Sequence, residues 1–291
     1  EIYTLSLHDA LPISISDFNV KAHYNGLLYA GNENLALTWM NVFCDGKPWT
    51  PRTGYAIEIN ALWYNALRYG VELLKEANKN NPLLKKWQDY AKRIEDSFVK
   101  TFYNEKNGMF YDFVNENEKN EMVRPNMLLA GSLRYSPLDD RMKKRILDIT
   151  RSELLTIRGL RSLSPRDEHY RGVTIGNHRE RDEAYHMGTV FPWLIMPYTD
   201  LCVRIYGKTA LPYLEDLYNG FEQAIFENGI GSISEIYDGN PPHEARGCIS
   251  QSTSVAALLY LNHVINYLKN DDPLYAIHHV FGYNNSKTEK L

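Results

Sequence analysis

Apolar residues recur with helical spacing in block after block of this chain. From Glu58 to Asn78 they fall at 59, 62, 63, 66, 67, 71, 73, 74 and 77, close to the i, i+3, i+4, i+7 pattern of an amphipathic helix. After Pro82, a favourable first helical residue, Leu84, Trp87, Tyr90, Ala91, Ile94 and Phe98 line a second face. Segments 138–153, 184–206, 210–227 and 251–269 read the same way. Alternating strand–helix units are absent, and strand-like pieces such as GMFYDFV (108–114) are short. The pattern predicts an all-α protein of paired helices. With no short-period repeat and no low-complexity linker, one large domain is expected.

Three long stretches rich in Gly, Pro, Asn and Asp separate these helices, at 31–56, 156–182 and 229–250. Loops of that length inside a compact domain are usually functional, and these are expected to converge on one rim. The first leads into a cluster at 32–67. There Trp39, Trp49, Trp63 and Tyr64 can stack on sugar rings, Lys47, Arg52 and Asn60 can donate to hydroxyls, and Asp45 and Glu58 are the carboxylates. Trp63 also lies on the apolar helix face, a core position, and Glu58 also suits a helix N-terminus. The second cluster, 158–194, has a charge run from Arg179 through Arg181 and Asp182 to Glu183, which alone suggests solvated ion pairs. Behind it Tyr185, His186, Thr189 and Trp193 are expected to form a pocket wall, with 186, 189 and 193 on one helix face. In the third, 229–251, Glu235 lies among small residues in a loop closed by Asp238-Gly239 and Pro241-Pro242. Such turn chemistry fixes a carboxylate, as general-base work requires.

Composition narrows the chemistry. The chain has 291 residues, 44% of them hydrophobic, so it can bury a substantial core; its net charge is −4 with scattered Lys and Arg, which argues against nucleic acid as a partner. The longest apolar run, GTVFPWLIMPY (188–198), is too short and too soon followed by Asp200 and Arg204 to span a bilayer, so no membrane partner is expected. Three cysteines, Cys44, Cys202 and Cys248, form neither CxxC nor an even framework, which points to a reducing, cytoplasmic setting. His178, His186 and His243 lack metal-ligand spacing, no glycine-rich phosphate loop precedes a helix, and Ser234 and Ser250 lie outside any GxSxG elbow. Metal, nucleotide and serine-hydrolase chemistry are therefore not expected. Residues 1–13, EIYTLSLHDALPI, match one reading frame of a common sequencing-library adapter at every position. The segment 1–14 is accordingly expected to be foreign to the protein, 15–270 to be the domain, and 271–291 to be a tail.

Five segments, GLLYAGNENLALTWM, TPRTGYAIEINALWYNAL, GLRSLSP, RERDEAYHMGTVFPW and GSISEIYDGNPPHEARGCISQ, together resemble the C-terminal glucosidase domain of glycogen debranching enzymes, the amylo-alpha-1,6-glucosidase family. The likeness runs in order from about Asn25 to His263. It implies an (α/α)6 toroid of the six-hairpin glycosidase kind, N-terminally incomplete here, that hydrolyses α-1,6-linked glucose stubs on glycogen, limit dextrin or maltodextrin, with inversion and without a cofactor. It also implies Glu235 as the base. Inverting hydrolysis needs a second carboxyl as acid. Family members place an aspartate after TWM, whereas this chain has Asn41, an amide with no proton to give. The resemblance thus leaves the acid to Glu58 or Asp45, or else implies a weakly active or purely glycan-binding protein in which Asn41 holds a hydroxyl. Two more departures are His186-Met187 with Phe191, where relatives read HQGTVWPW, and Gln251-Ser252-Thr253-Ser254, where they read QAWS. Other (α/α)6 enzymes, such as trehalases and sugar epimerases, fit the fold but not these strings.

Overall fold

The computed structural model describes residues 14–15 and 18–270, and they divide into two compact units, one ending at Met122 and the other beginning at Val123. The adapter-like segment through residue 13 and the expected tail 271–291 lie outside the described residues.

The first unit opens with a three-stranded antiparallel sheet, β1 (Ser14–Ile15), β2 (Val20–Ala22) and β3 (Leu28–Tyr29). A hairpin follows, β4 (Phe43–Cys44) and β5 (Lys47–Pro48). Its two-residue turn is Asp45-Gly46, with φ of 50° and 76°, the left-handed pair that a tight hairpin demands. β6 (Tyr55–Ala56) runs into α1 (Ile57–Ala77), and α2 (Pro82–Phe102) packs against α1. The Asn81 side chain accepts a hydrogen bond from the Leu83 N–H at 2.9 Å, and Pro82 opens α2, as its sequence predicts. Gly70 of α1 lets the helices approach, because a Cβ there would lie 2.6 Å from the Trp87 ring. A second hairpin, β7 (Tyr103–Asn104) and β8 (Met109–Phe110), precedes β9 (Phe113–Val114), which pairs with β6. Ile94, Phe98 and Phe102 have no solvent exposure, and the last two rings lie 4.7 Å apart. Burial at this level contributes about 1.5–3 kcal/mol per side chain.

α1 buries a different face from the one its apolar pattern predicts. Ile57, Glu58, Asn60, Ala61, Tyr64, Leu67 and Val71 are inside, whereas Leu62 and Leu73 are exposed. The reason is that the buried polar residues are matched by partners. Asn60 accepts from the Leu28 N–H at 2.7 Å and donates to the carbonyls of Leu28 and Ala56 at 3.1 and 3.0 Å, stitching β3 to the helix.

The second unit begins with α3 (Met127–Ser132) and α4 (Asp140–Ile149), the latter capped by Asp139, whose carboxylate accepts from the Met142 N–H. A π turn (Thr150–Leu154) leads into β10 (Leu155–Thr156) and β11 (Gly159–Arg161). Then come α5 (His178–Tyr185), β12 (Val190–Phe191), a 3-10 turn (Pro192–Leu194), α6 (Ile195–Tyr206), α7 (Leu211–Gly220) and α8 (Ala224–Glu227). β13 (Ile236–Tyr237), β14 (Ala245–Arg246) and α9 (Ser252–Asn270) complete it. α6 packs on α3, α4 and α9, burying Ile195, Tyr198, Leu201 and Cys202. The two long loops of this unit are not structureless: β10 to β14 form one five-stranded antiparallel sheet in chain order.

The expected continuous helix over 184–206 does not form. α5 stops at Tyr185, Gly188 adopts φ +143° with the Arg171 carbonyl where a Cβ would sit, and β12 pairs between β11 and β13 before Pro192 starts the next turn. His186, Thr189 and Trp193 therefore do not share one helix face. Gly188 and Pro192 were the sequence signals against that helix. The expected helix over 210–227 is likewise divided, into α7 and α8.

Replacing Asn60 with Ala would strand the buried N–H and C=O of Leu28, so chemical denaturation should report a loss of about 1–3 kcal/mol for this variant.

Candidate active site

Glu235 immediately precedes β13 and is half-buried. Its carboxylate is held on both oxygens. Oε1 accepts from the Tyr185 hydroxyl at 2.5 Å, and Oε2 accepts from the Cys248 N–H at 2.9 Å. The Glu235 N–H donates to the Cys248 carbonyl at 2.9 Å, one residue beyond the register of the β13–β14 pair, with Gly247 as the extra residue. Gly247, at φ +67°, makes this close approach possible, since a Cβ there would stand 2.5 Å from Oε2. Burial pushes the Glu235 pKa up, but the donors from Tyr185 and Cys248 outweigh it and hold the carboxyl below its ordinary range. Burial, and then the hydrogen bond to Glu235, push the Tyr185 phenol well above its ordinary value, so it remains a donor. A carboxylate offers about four lone-pair positions, so room remains for water.

The loop that carries Glu235 is fixed by a second carboxylate. Asp238, 4% exposed, accepts from the Thr174 N–H at 2.8 Å and from Arg246 Nε and Nη2 at 3.2 and 2.7 Å. Arg124, equally buried, donates to the carbonyls of Ser162 and His186 at 3.0 and 2.6 Å, tying β11 to the turn after α5. That turn aims Tyr185, whose ring meets Phe191 edge-on at 5.1 Å. Beside the β13–β14 turn a polar cleft of about 350 Å3 is lined by Glu227, Asn228, Pro242, His243, Glu244 and Ala245.

In the first unit, charge is paired rather than presented. Arg52, at φ +47°, donates to both oxygens of Glu58, with Nη2 to Oε2 at 2.7 Å. Its Nε and Nη2 reach the two oxygens of Asp112 at 2.6 and 3.0 Å, and Nη1 reaches Thr38 Oγ1 at 3.2 Å. Arg52, Glu58 and Asp112 are 4, 2 and 4% exposed. Burial pulls the Arg52 pKa down, but the charges of Asp112 and Glu58 drive it well above its ordinary value. The Thr38 hydroxyl in turn accepts from the Met40 N–H at 3.3 Å, so this ion cluster holds the turn leading to Asn41. A small, mostly apolar cleft of about 130 Å3 lies beside Arg52, Leu37 and Thr38.

These positions revise the expected roles. Arg52 and Glu58 are committed to one another and out of solvent, so neither is available to a sugar hydroxyl or a leaving oxygen. Asn60 is taken up by main chain, and Tyr64 is 2% exposed with its hydroxyl accepting from Arg68 at 2.7 Å. Trp63 is half-buried and donates to the Gly26 carbonyl at 3.1 Å, a packing role. Asn41 and Asp45 are exposed, Asp45 as the first turn residue of the β4–β5 hairpin. Trp39, Trp193 and Gln251 are half-buried, while His186 is 1% exposed and stacks on Phe191 at 5.7 Å. The charge run on α5 is paired locally, with Glu183 buried: His178–Asp182 at 2.8 Å, Arg179–Glu183 at 2.8 Å, and Arg181 to the Gly176 carbonyl at 2.7 Å. Sequence reasoning named Asp238 only as a turn residue and missed Arg246, Gly247 and Cys248, because only the folded hairpin sets Arg246 on Asp238 and brings Gly247 and Cys248 to Glu235; the Asp-Gly and Arg-Gly steps flanking its turn were the one available hint.

Residues 13–260 match the family described as Amylo-alpha-1,6-glucosidase. The chain belongs to that family. It is thereby a member of a glycoside hydrolase family, and every segment on which the sequence likeness rested lies within the match. It is 26% identical over 225 residues to the glycogen debranching enzyme of Saccharomyces cerevisiae, covering 61% of this chain but 14% of that protein. Among solved structures it is similar to neutral trehalase Nth1 from Saccharomyces cerevisiae, with a TM-score of 0.55 and 14% identity over 78% of this chain and 42% of that one. It is also similar to a GH63 mannosylglycerate hydrolase from Thermus thermophilus in complex with glucose, with a TM-score of 0.51 and 15% identity over 71% and 44%. These likenesses give the fold as the (α/α)6 toroid class expected from the sequence. The chain spans less than half the length of each of these relatives. Among the described residues no helix is long and apolar enough to cross a membrane.

Replacing Tyr185 with Phe removes a donor from Glu235 and should raise its pKa. In protein labelled with carboxyl-13C glutamate, the resonance lost in Glu235→Gln should titrate at higher pH in Tyr185→Phe than in the wild type.

Proposed function

We propose that this chain carries the catalytic base of a debranching glucosidase and acts on α-1,6-linked glucose stubs of glycogen, limit dextrin or branched maltodextrin. The observation that carries the reading is Glu235: a half-buried carboxylate held ionised by Tyr185 and Cys248, with lone pairs left for water, in a chain of a glucosidase family. Such a group removes a proton from water as the water attacks the anomeric carbon, and inversion then releases β-glucose. Because its pKa lies below the ordinary carboxylate range, the base remains ionised through neutral pH and is lost only as pH falls through that depressed value. Trp39, Trp193 and Gln251 are retained as sugar contacts, with Arg181 and Asp182 as polar groups at the surface.

The proton donor is the open role. Glu58 is neutralised by Arg52, which leaves Asp45 as the exposed carboxylate of the 37–54 stretch and Asn41 as the exposed amide at the position where relatives carry the acid. The hydrolase reading assigns the donor to Asp45. Asn41 favours a second reading, in which the chain binds branched glucan and turns it over slowly or not at all.

Free glucose released from a branched limit dextrin separates these readings. Under the hydrolase reading the wild type releases β-glucose, and Glu235→Gln and Asp45→Asn each lower the rate by about 10²–10⁴-fold. A wild type that binds dextrin without turnover, together with a large gain on Asn41→Asp, would establish the second reading. Unchanged release in Glu235→Gln would overturn both.

A further inference from the structure

We propose that Thr189 is a positioning residue for Glu235, acting through Tyr185 by way of a buried chain of hydrogen bonds. In naming Glu235 a base, this rests on the function proposed above; the chain of contacts does not. The last carbonyls of a helix have no partner within it. At the end of α5 the Ala184 carbonyl accepts from the Met187 N–H at 2.9 Å and from the Thr189 hydroxyl at 3.0 Å. Thr189 Oγ1 also lies 2.8 Å from Thr174 Oγ1. A hydroxyl has one proton, and that of Thr189 is committed to Ala184, so Thr174 is the donor between the two. The Thr174 N–H in turn donates to Asp238 Oδ1 at 2.8 Å.

These links close a ring. Ala184 adjoins Tyr185, whose hydroxyl holds Glu235, and Asp238 lies three residues after Glu235 in the same segment. Thr189 is thus the cross-piece between the helix end that aims the phenol and the loop that carries the carboxylate. It has no solvent exposure, and Thr174 and Ala184 are 5 and 1% exposed, so a hydroxyl or carbonyl left unpaired there bears its desolvation penalty. The Thr189 main chain is fixed separately, its carbonyl accepting from the Ser162 N–H at 2.9 Å. Loss of the hydroxyl therefore frees the end of α5 while leaving β12 paired with β11. Buried as it is, Thr189 is no wall of a sugar pocket, and its effect on the carboxylate passes through Tyr185.

Thr189→Val removes the hydroxyl and with it two links of the ring. The 13C titration of Glu235 in the whole chain should then move to higher pH, by most of the displacement that Tyr185→Phe produces, and Thr189→Ser should titrate with the wild type. Because Thr189 acts through Tyr185, Thr189→Val should add nothing in a Tyr185→Phe background, whereas a general loosening of the fold would add its own shift. Should Thr189→Val fail to fold, Thr174→Val, which removes the donor to Thr189 alone, is held to the same two comparisons. An unmoved titration, or an equal further shift in the Tyr185→Phe background, would overturn the proposal. Glucose release tests the base separately. Release lost in Glu235→Gln with an unmoved titration in Thr189→Val would leave the base standing and remove the role of Thr189. A moved titration in a chain without turnover would uphold the buried chain of contacts while the base fell.

Discussion

A charge taken out of water must be met by fixed partners, and that constraint organises the long loops of this protein. An unpaired buried ion is costly, and removing one member of a buried pair typically costs about 3–5 kcal/mol. In the first unit the constraint acts through Arg52, whose guanidinium is shared by Glu58 at the start of α1, Asp112 just before β9, and Thr38 in the preceding loop. One side chain thus fixes the relation of three segments far apart in sequence. Its left-handed backbone conformation is held by the same partners.

The second unit applies the same rule to its own loops. Arg124 gathers two carbonyls, and Asp238 gathers an N–H and a guanidinium, so 156–182 and 229–250 become parts of one five-stranded sheet. The rigidity matters because Glu235 departs from the rule. It is half-buried and held by neutral donors, a phenol and an amide, and not by a cation. An arginine partner would have bound its proton-accepting lone pairs. A phenol and an amide keep it ionised and leave it basic, the combination general-base catalysis needs.

In this member of the amylo-alpha-1,6-glucosidase family the segments of Glu235 and of Asn41 are both firmly held. The machinery around Glu235 is complete in hydrogen bonds. The turn that presents Asn41 is equally well built, tied to Arg52 through Thr38 and fastened by the Thr50 hydroxyl on the Met40 carbonyl at 3.1 Å. The turn thus presents an exposed amide on a firmly held scaffold.

Helical periodicity located α1, α2, α4 and α9 to within a few residues, although α1 buries another face than its apolar pattern predicts; α2 and α4 also carry their own start signals, Pro82 and Asn81 for α2 and Asp139 for α4. The motif strings gave the family, and the turn residues around Glu235 marked it as fixed. Periodicity could not tell which polar residues would go inside. Glu58, Asn60 and Arg52 read as surface or ligand-facing groups and are buried, since their partners Asp112, Leu28 and Thr38 lie outside any local window. It also ran α5 into α6, because the pairing of β12 with strands from distant loops overrides the local apolar pattern. Gly247 and Cys248 meet Glu235 only through the folding of the β13–β14 hairpin, and Tyr185 reaches it from the end of α5. Local propensity follows from neighbours along the chain, whereas the partner of a buried charge, or the donor on a carboxylate, is chosen by whatever the fold brings within about 3 Å.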